Sequence, residues 1–316
     1  MGRRKKTMAH HADNQVVEPQ VTSRWYRSVS DRIYMAFIYV MLVLAMLLVL
    51  VPFIFILASS FSSAEAISAG KVLFWPVGFN VEGYKMILET SSVWRSFLMS
   101  LFYMVAGTLI SLTLTVLMAY PLTRKDFKAN SFITVLMIIT MFFSGGMIPT
   151  YLLINRLNML DTVWAILLPT ALSAYNVVLV RTYMSSNIPK DLYECASLDG
   201  CSDFRYLVSI VIPLSKTIIA VMALLYGVGI WNNYFNAMMY IRDRNLYPFQ
   251  LVLRDVLVLN MGVGNPSDIA EQQERLMFSY LLKYSTIVVG SLPVMIAYPF
   301  VQKYFVKGIM IGALKG

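Results

Sequence analysis

Charged residues are scarce in this sequence of 316 residues, since 14% are Asp, Glu, Lys or Arg whereas 58% are hydrophobic. Soluble domains are about 45–50% apolar and about 25% charged. The composition therefore excludes an ordinary soluble enzyme. Histidine and cysteine are scarcer still, with two of each. His10 and His11 lie in a polar N-terminal stretch without a carboxylate or thiol cluster around them, so we expect no metal site.

Long uncharged runs are abundant. A helix that crosses about 30 Å of hydrocarbon needs about 20 apolar residues. Six runs come close to or exceed that length: residues 33–64, 96–123, 129–155, 162–180, 217–241 and 284–302. Lipid tolerates only helices and closed barrels, and the alternating pattern of barrel strands is missing. The runs therefore predict an all-α membrane protein with six transmembrane helices.

Basic residues concentrate on one side of these six runs. That side comprises the segment before residue 33, the loops 124–128 and 181–216, and the segment after residue 302. It contains 17 of the 26 basic residues but only 8 of the 17 acidic ones. By the positive-inside rule it is cytoplasmic, and so are both termini. These charges flank apolar runs and form no stripe interleaved with aromatic residues, so we expect no nucleic-acid binding.

This topology predicts three parts: a cytoplasmic N-terminal tail at 1–32, a six-helix transmembrane domain at 33–302 and a cytoplasmic C-terminal tail at 303–316. None of the six runs contains Asp, Glu, Lys, Arg or His, so the chain lacks the relay of a proton-coupled transporter and the catalytic set of an intramembrane enzyme. A channel is disfavoured because no charged ring or carbonyl-filter motif occurs. Energy for transport would have to come from a partner protein.

One cytoplasmic loop, residues 182–216, has a helical pattern of its own. Pro189 suits the first turn of a short helix, and Asp191 and Glu194 favour the positive end of its dipole. Gly200 can adopt the left-handed conformation that ends a helix. The pattern predicts a short helix that stops at this glycine.

A second helix is predicted to follow, with Ser202 as its cap and Pro213 near its end. After Arg181 the loop has a net charge of −1, which does not suit anionic lipid headgroups and favours a protein partner. Leu192, Cys195 and Ala196 are expected to form a small apolar face for that partner. Because the loop is cytoplasmic, we expect its two cysteines to stay reduced.

The residues of this loop resemble the EAA loop of ABC-importer permeases. The pattern consists of Glu194, Cys195, Ala196, Asp199 and Gly200, with Pro213 thirteen residues after the glycine. Cys195 stands in place of the family's first alanine, which keeps the side chain small. The resemblance implies that these residues form a coupling helix that docks into a cleft of a separate ATPase subunit.

Three other stretches resemble the carbohydrate-import branch of that family, which includes maltose-type and oligosaccharide permeases. They are FFSGGMIPTY at 142–151, WNNY at 231–234 and the C-terminal residues 304–316. The resemblance implies a type I importer permease in the bacterial cytoplasmic membrane. The implied partners are an ABC ATPase dimer, a second homologous permease, an extracellular solute-binding protein, the lipid bilayer and a carbohydrate substrate. A permease for another small solute, such as an amino acid, is the alternative, because its EAA loop would look the same.

Nucleotide binding is not expected of this chain itself, because it has no G-x-x-x-x-G-K-[ST] loop to hold phosphates. The chain is therefore predicted to be a transport subunit rather than an enzyme. The resemblance implies that ATP and magnesium are bound by the partner ATPase and that this chain binds no cofactor directly.

A sugar pathway needs amides and hydroxyls beside aromatic faces. The fifth and fourth runs supply such a set, which comprises Trp231, Asn232, Asn233, Tyr234, Asn236, Tyr175 and Asn176. Such polar side chains also join membrane helices to one another, so both interpretations stay open.

Two further features each have two interpretations, and a third has one. Ser144, Gly145 and Gly146 interrupt the third run and predict either a hinge or a close-packing site. Arg181 and Arg242 are either membrane anchors or a basic attraction for an acidic sugar. The long extracellular loops at 65–95 and 242–283 are expected to meet the solute-binding protein.

Overall fold

The structure is a computed structural model that describes residues 29–124, 126–258 and 269–313. Side chains are not described for residues 256–276, 301 and 303–313. Most of the predicted N-terminal tail, the end of the predicted C-terminal tail and part of the loop 242–283 therefore lie outside the described residues. Across the described ranges every regular element is a helix, which confirms the all-α prediction.

The described residues form fifteen α-helices. Their bounds are α1 Val29–Ser60, α2 Ala64–Ser68, α3 Glu82–Glu89, α4 Ser91–Ala119, α5 Asn130–Phe142, α6 Met147–Arg156, α7 Trp164–Leu167, α8 Ala174–Asn187, α9 Asp191–Leu198, α10 Asp203–Tyr206, α11 Ile212–Leu214, α12 Lys216–Trp231, α13 Phe235–Tyr240, α14 Phe249–Val258 and α15 Ile269–Ala313. A π-helical turn, Leu207–Val211, joins α10 to α11, and two 3₁₀ turns, Pro121–Thr123 and Arg244–Leu246, follow α4 and α13.

The chain divides into two compact units, Met1–Pro52 and Phe53–Gly316. The described part of the first unit is the greater part of α1, and the second unit contains all the other helices. Three helical stretches of the described residues are each long and apolar enough to cross a membrane: α1, Ser91–Thr123 and Met277–Phe300. The count rises to five if two bent helix pairs each form one span.

One of the two bent pairs lies within a single predicted span, and the other lies at the predicted junction between the second helix of the loop 182–216 and the fifth run. α5 and α6 meet at 116° across residues 143–146, and the helical segment 203–214 meets α12 at 81°. Gly146 has a φ of +84°, which glycine adopts readily and other residues rarely do. The predicted third span is therefore broken in the middle.

Two other predicted spans are also interrupted. Residues 162–180 form α7 and part of α8 rather than one helix, because Pro169 has no N–H to donate to the Ala165 carbonyl. The run 217–241 is divided by the turn 232–234 into α12 and α13. The sixth run is longer than predicted, since α15 begins before it and continues through residue 313.

The centre of the second unit is the contact between α4 and α12. α4 has small residues at helical spacing, namely Ser96, Ser100, Gly107, Ser111 and Thr115, and all five are buried. A Cβ built on Gly107 would approach the Ile230 side chain to 2.7 Å. Thr115 and Tyr226 share a buried hydrogen bond of 2.8 Å. Small residues let membrane helices approach closely, and here they let α12 pack along α4.

Candidate functional site

The loop 182–216 contains the short helix that its sequence predicts. α9 begins at Asp191, directly after Pro189 and Lys190, and it has Asp191 and Glu194 in its first turn. These carboxylates lie near the positive end of the helix dipole. The prediction of a helix between Pro189 and Gly200 is confirmed.

α9 ends in a Schellman motif. The Cys201 N–H donates to the Ala196 carbonyl at 2.9 Å, and the Gly200 N–H donates to the Ser197 carbonyl at 3.1 Å. Gly200 has a φ of +73°, as the motif requires. A Cβ built there would meet no atom within 4 Å. The glycine is therefore required by its backbone conformation and not by a lack of space. The turn after α9 is therefore sharply defined and open to a partner.

The apolar face predicted for α9 is divided between its two sides. Leu192 and Cys195 are exposed, but Ala196 is only 9% exposed and packs into the protein's own core. The sequence-based assignment of Ala196 to the partner surface is corrected: its small size lets α9 lie close to the core. Leu198, which is 88% exposed, is the apolar side chain on the outer surface that the sequence reasoning missed.

The segment after α9 leads into α12. The Ser202 hydroxyl accepts a hydrogen bond from the Arg205 N–H at 3.4 Å, which confirms the predicted cap. Pro213 lies in α11, directly after the π-helical turn. A proline cannot donate to the carbonyl four residues earlier, so the ladder is disturbed at this point. α12 then begins at Lys216, at the 81° bend.

The candidate pathway residues of the fifth run lie at the end of α12, in the turn that follows and, for Asn236, in the first turn of α13. Asn232 and Tyr234 are exposed, and Asn233 accepts a hydrogen bond from the Asn236 N–H at 3.2 Å. The polar groups therefore lie in a break between α12 and α13, where part of the backbone is outside the helical ladder. Trp231 differs from them, because it is only 1% exposed.

Trp231 is enclosed by its own chain. Its indole N–H donates to the Gly290 carbonyl at 2.9 Å, and its ring contacts Phe97 and Phe249 with centroid distances of 5.7 and 6.4 Å. Within this structure Trp231 attaches the end of α12 to α4, α14 and α15. It can influence a pathway through the position that it gives to Asn232.

Tyr175 and Asn176 lie in the first turn of α8. Tyr175 is 59% exposed, and the Asn176 N–H donates to the Ser173 hydroxyl at 3.5 Å. Ala174 and Ile230, which adjoin the two groups of pathway candidates, pack against one hydrophobic cluster. The structure thus brings both groups to the same core.

The glycine pair between α5 and α6 is explained by backbone conformation. No atom lies within 4 Å of a Cβ built on Gly145, and the nearest atom to one on Gly146 is Pro149 Cδ at 3.9 Å. Close packing within this chain does not explain either glycine. The positive φ of Gly146 explains one of them, and the sharp turn there leaves Phe142 and Phe143 exposed.

The two arginines considered for an acidic sugar have different surroundings. Arg181 Nε donates to the Leu122 carbonyl at 2.8 Å, and its other nitrogens contact Asn130 and Thr134. This residue joins α8 to the end of α4 and the start of α5. Arg242 is exposed, and its backbone N–H donates to Asp161 at 2.9 Å.

Asp161 joins the turn before α7 to the turn after α13. One carboxylate oxygen accepts the N–H groups of Arg242 and Asp243 at 2.9 and 2.8 Å. These two hydrogen bonds lower the pKa of Asp161 below its ordinary value of 3.8, and the one from Asp243 has the larger effect. The charged form is thus favoured by folding. Its contribution to stability is present above that ordinary value and is lost as the pH falls through the lowered pKa.

We expect Asp161→Asn to lower the thermal unfolding temperature of the detergent-solubilised protein at neutral pH. Asparagine tolerates the φ of +61° at this position, so the substitution tests the charge rather than the backbone. The difference from wild type should shrink below about pH 3.8, where the wild-type carboxylate also becomes protonated. If the difference in unfolding temperature is the same from neutral to acidic pH, the charge of Asp161 does not contribute to the connection between these two turns.

Similar proteins define the class to which this architecture belongs. The chain is a permease of the carbohydrate branch of ABC importers. It is 37% identical over 293 residues to the polygalacturonan/rhamnogalacturonan transport system permease protein YtcP of Bacillus subtilis, with 90% of this chain and 99% of YtcP covered. It is 28% identical to the arabinooligosaccharides transport system permease protein AraQ of the same organism, with 85% of this chain and 92% of AraQ covered.

A solved structure agrees with this assignment. A chain of a bacterial ABC transporter involved in the import of the acidic polysaccharide alginate superposes with a TM-score of 0.81 and 33% identity, and the match covers 89% of this chain and 99% of that one. No protein-family model matches the sequence. The protein is a multi-pass membrane transport subunit, not an enzyme, and the ATPase of such a system is a separate subunit.

Proposed function

We propose that the chain imports an acidic oligosaccharide across the bacterial cytoplasmic membrane as one of two homologous permeases. It crosses the membrane six times with both termini in the cytoplasm, and residues 162–187 form an interrupted fourth crossing. The excess of basic residues on the side of α9 supports this orientation. The substrates in the names of YtcP and of the alginate importer support an acidic sugar.

The observation that carries the proposal is the exposed end of α9, with Glu194, Cys195, Leu198, Asp199 and Gly200 on one accessible surface. We call these five residues the docking surface. They meet an ABC ATPase dimer, which binds ATP and magnesium. Closure of that dimer moves α9 and exchanges inward-facing and outward-facing states. A solute-binding protein delivers the sugar to the extracellular loops.

The sugar pathway is lined by polar residues at the start of α8 and around the end of α12. Asn232, Asn233, Tyr234 and Asn236, together with Tyr175 and Asn176, offer amides, hydroxyls and aromatic faces to the sugar. The break between α12 and α13 supports this role, because irregular backbone at membrane depth requires protein or a water-filled cavity beside it.

Co-purification from the native membrane tests the docking surface. We expect the wild-type chain to retain a P-loop ATPase and a second permease. Glu194→Ala combined with Gly200→Asp should lose the ATPase but keep the second permease, because the change removes a carboxylate and forces a side chain into the left-handed turn. Ser68→Ala, an exposed substitution outside the loop 182–216, is the control and should retain both.

Two outcomes would refute this function. The docking proposal fails if wild type retains no ATPase in mild detergent and no complex can be rebuilt from separately produced subunits. The substrate proposal fails if proteoliposomes with the full complex transport a neutral oligosaccharide as fast as a uronate oligosaccharide of the same length.

A further inference from the structure

Arg124 contacts α9 from the cytoplasmic end of α4. It directly follows the 3₁₀ turn Pro121–Thr123, and its side chain is 16% exposed. The guanidinium carbon lies 3.2 Å from the centroid of the Tyr193 ring, in the first turn of α9. A planar, weakly hydrated guanidinium is well suited to such stacking. This cation–π contact therefore joins α9 to the turn after α4.

Acidic groups hold the guanidinium in this orientation. Its Nε and one terminal nitrogen donate to the two carboxylate oxygens of Asp126 at 3.1 and 2.9 Å. Asp203, at the start of α10, lies 4.0 Å away. A bidentate pair fixes the plane of the guanidinium as well as its position. Arg124 is thus held over the face of the Tyr193 ring.

The backbone of the same turn is attached to two other helices. The Leu122 carbonyl accepts hydrogen bonds from Arg181 of α8 at 2.8 Å and from Asn130 of α5 at 3.0 Å. The Asn130 amide also donates to the Arg124 carbonyl at 3.2 Å. The backbone of residues 122–124 therefore links Arg124 to α4, α5 and α8.

A cavity lies beside α9. The few contacts between α9 and the rest of the protein are therefore more important. The cavity has a volume of about 490 Å³ and is lined in part by Tyr120, Met184, Pro189 and Glu194. Ala196 packs into the core on one side, and the Tyr193 ring meets Tyr206 edge-on at 5.2 Å. Without Arg124, α9 could shift toward this cavity without carrying the membrane helices with it.

We infer that Arg124 is a positioning residue that transmits movement of α9 to the cytoplasmic ends of α4, α5 and α8. The inference rests on the proposed function, in which α9 is moved by an ATPase. Arg124 lines the cavity beside α9 together with Glu194, but it is not one of the five residues of the docking surface. Its removal should uncouple ATP hydrolysis from transport while the ATPase stays bound.

The test uses the full complex in proteoliposomes with its binding protein, and it measures sugar transported per ATP hydrolysed. Arg124→Ala should lower this ratio by about tenfold and leave ATPase co-purification unchanged. Tyr193→Phe keeps the aromatic face and should match wild type, whereas Tyr193→Leu should behave like Arg124→Ala. Arg205→Ala removes an equal charge from the exposed surface of α10 and should have no effect.

The outcomes separate this inference from the function on which it rests. If wild type binds no ATPase, the proposed function fails. If wild type is coupled and Arg124→Ala keeps the wild-type ratio, the Arg124 inference alone is overturned. Release of the ATPase by Arg124→Ala would also overturn it, because Arg124 would then act in docking. Should Arg124→Ala not fold, the two Tyr193 variants decide, and equal ratios for them refute the inference.

Discussion

Gly83→Ala is expected to lower the free energy of unfolding by about 2 kcal/mol, the middle of the range for overpacking a tight contact. Gly83 lies in α3 and packs against α15. A Cβ built on it would lie 2.7 Å from the Leu281 carbonyl oxygen and would also clash with the Ser285 hydroxyl. The carbonyl belongs to helix backbone, which cannot move aside as the end of a flexible side chain can. One methyl group must therefore push α3 away from α15.

Gly229→Ala is the matched control, because it adds the same methyl group to a helix where no atom lies within 4 Å of the new Cβ. Alanine favours helix over glycine by about 1 kcal/mol, so this variant should be as stable as wild type or more stable. Reversible unfolding in detergent, followed by helical circular dichroism, measures both changes. Equal stability of the two variants would show that α3 is not closely held on α15.

The features of α9 could be predicted because they depend on neighbouring residues. The cap of a helix is decided within a few positions, and Gly200 and Ser202 have the local roles that their sequence context indicates. The six apolar runs likewise indicate helices, since they need only composition and length. Composition does not predict that four of these runs are interrupted or extended in the structure.

Contacts between distant residues account for what the sequence could not predict. Arg181 resembles a membrane anchor when read beside its neighbours, but its partners Leu122, Asn130 and Thr134 lie 47–59 positions away. Arg124 looked like one basic residue among several of a cytoplasmic loop. Its stacking on Tyr193 becomes visible only when α4 and α9 are placed side by side.

The sequence also could not predict which side chains of a short helix face the core. Ala196 and Leu198 are two positions apart, and either could have faced a partner. The core cluster that contains Tyr206 and Val211 takes Ala196, which leaves Leu198 exposed. The motif predicts which segment docks, whereas tertiary packing decides which of its side chains are accessible.

Trp231→Ala is expected to lower the free energy of unfolding by about 3–5 kcal/mol, as removal of a large buried aromatic does. The indole is 1% exposed and packs between Phe97 and Phe249. Trp231→Phe keeps most of the aromatic contact but removes the N–H that donates to Gly290. The net loss of one hydrogen bond costs about 0.5–1.5 kcal/mol, so the phenylalanine variant should lose less stability than the alanine variant.

Transport kinetics distinguish this packing role from direct contact with the sugar. If Trp231 acts by positioning the end of α12, Trp231→Phe should be less stable but should have a KM for the sugar close to that of wild type. Asn232→Ala, an exposed change at the adjacent residue, should show the opposite pattern, with a raised KM and unchanged stability. A stable Trp231→Phe variant with a raised KM would place the indole in the pathway, which requires Trp231 to leave Gly290 in another state of the transport cycle.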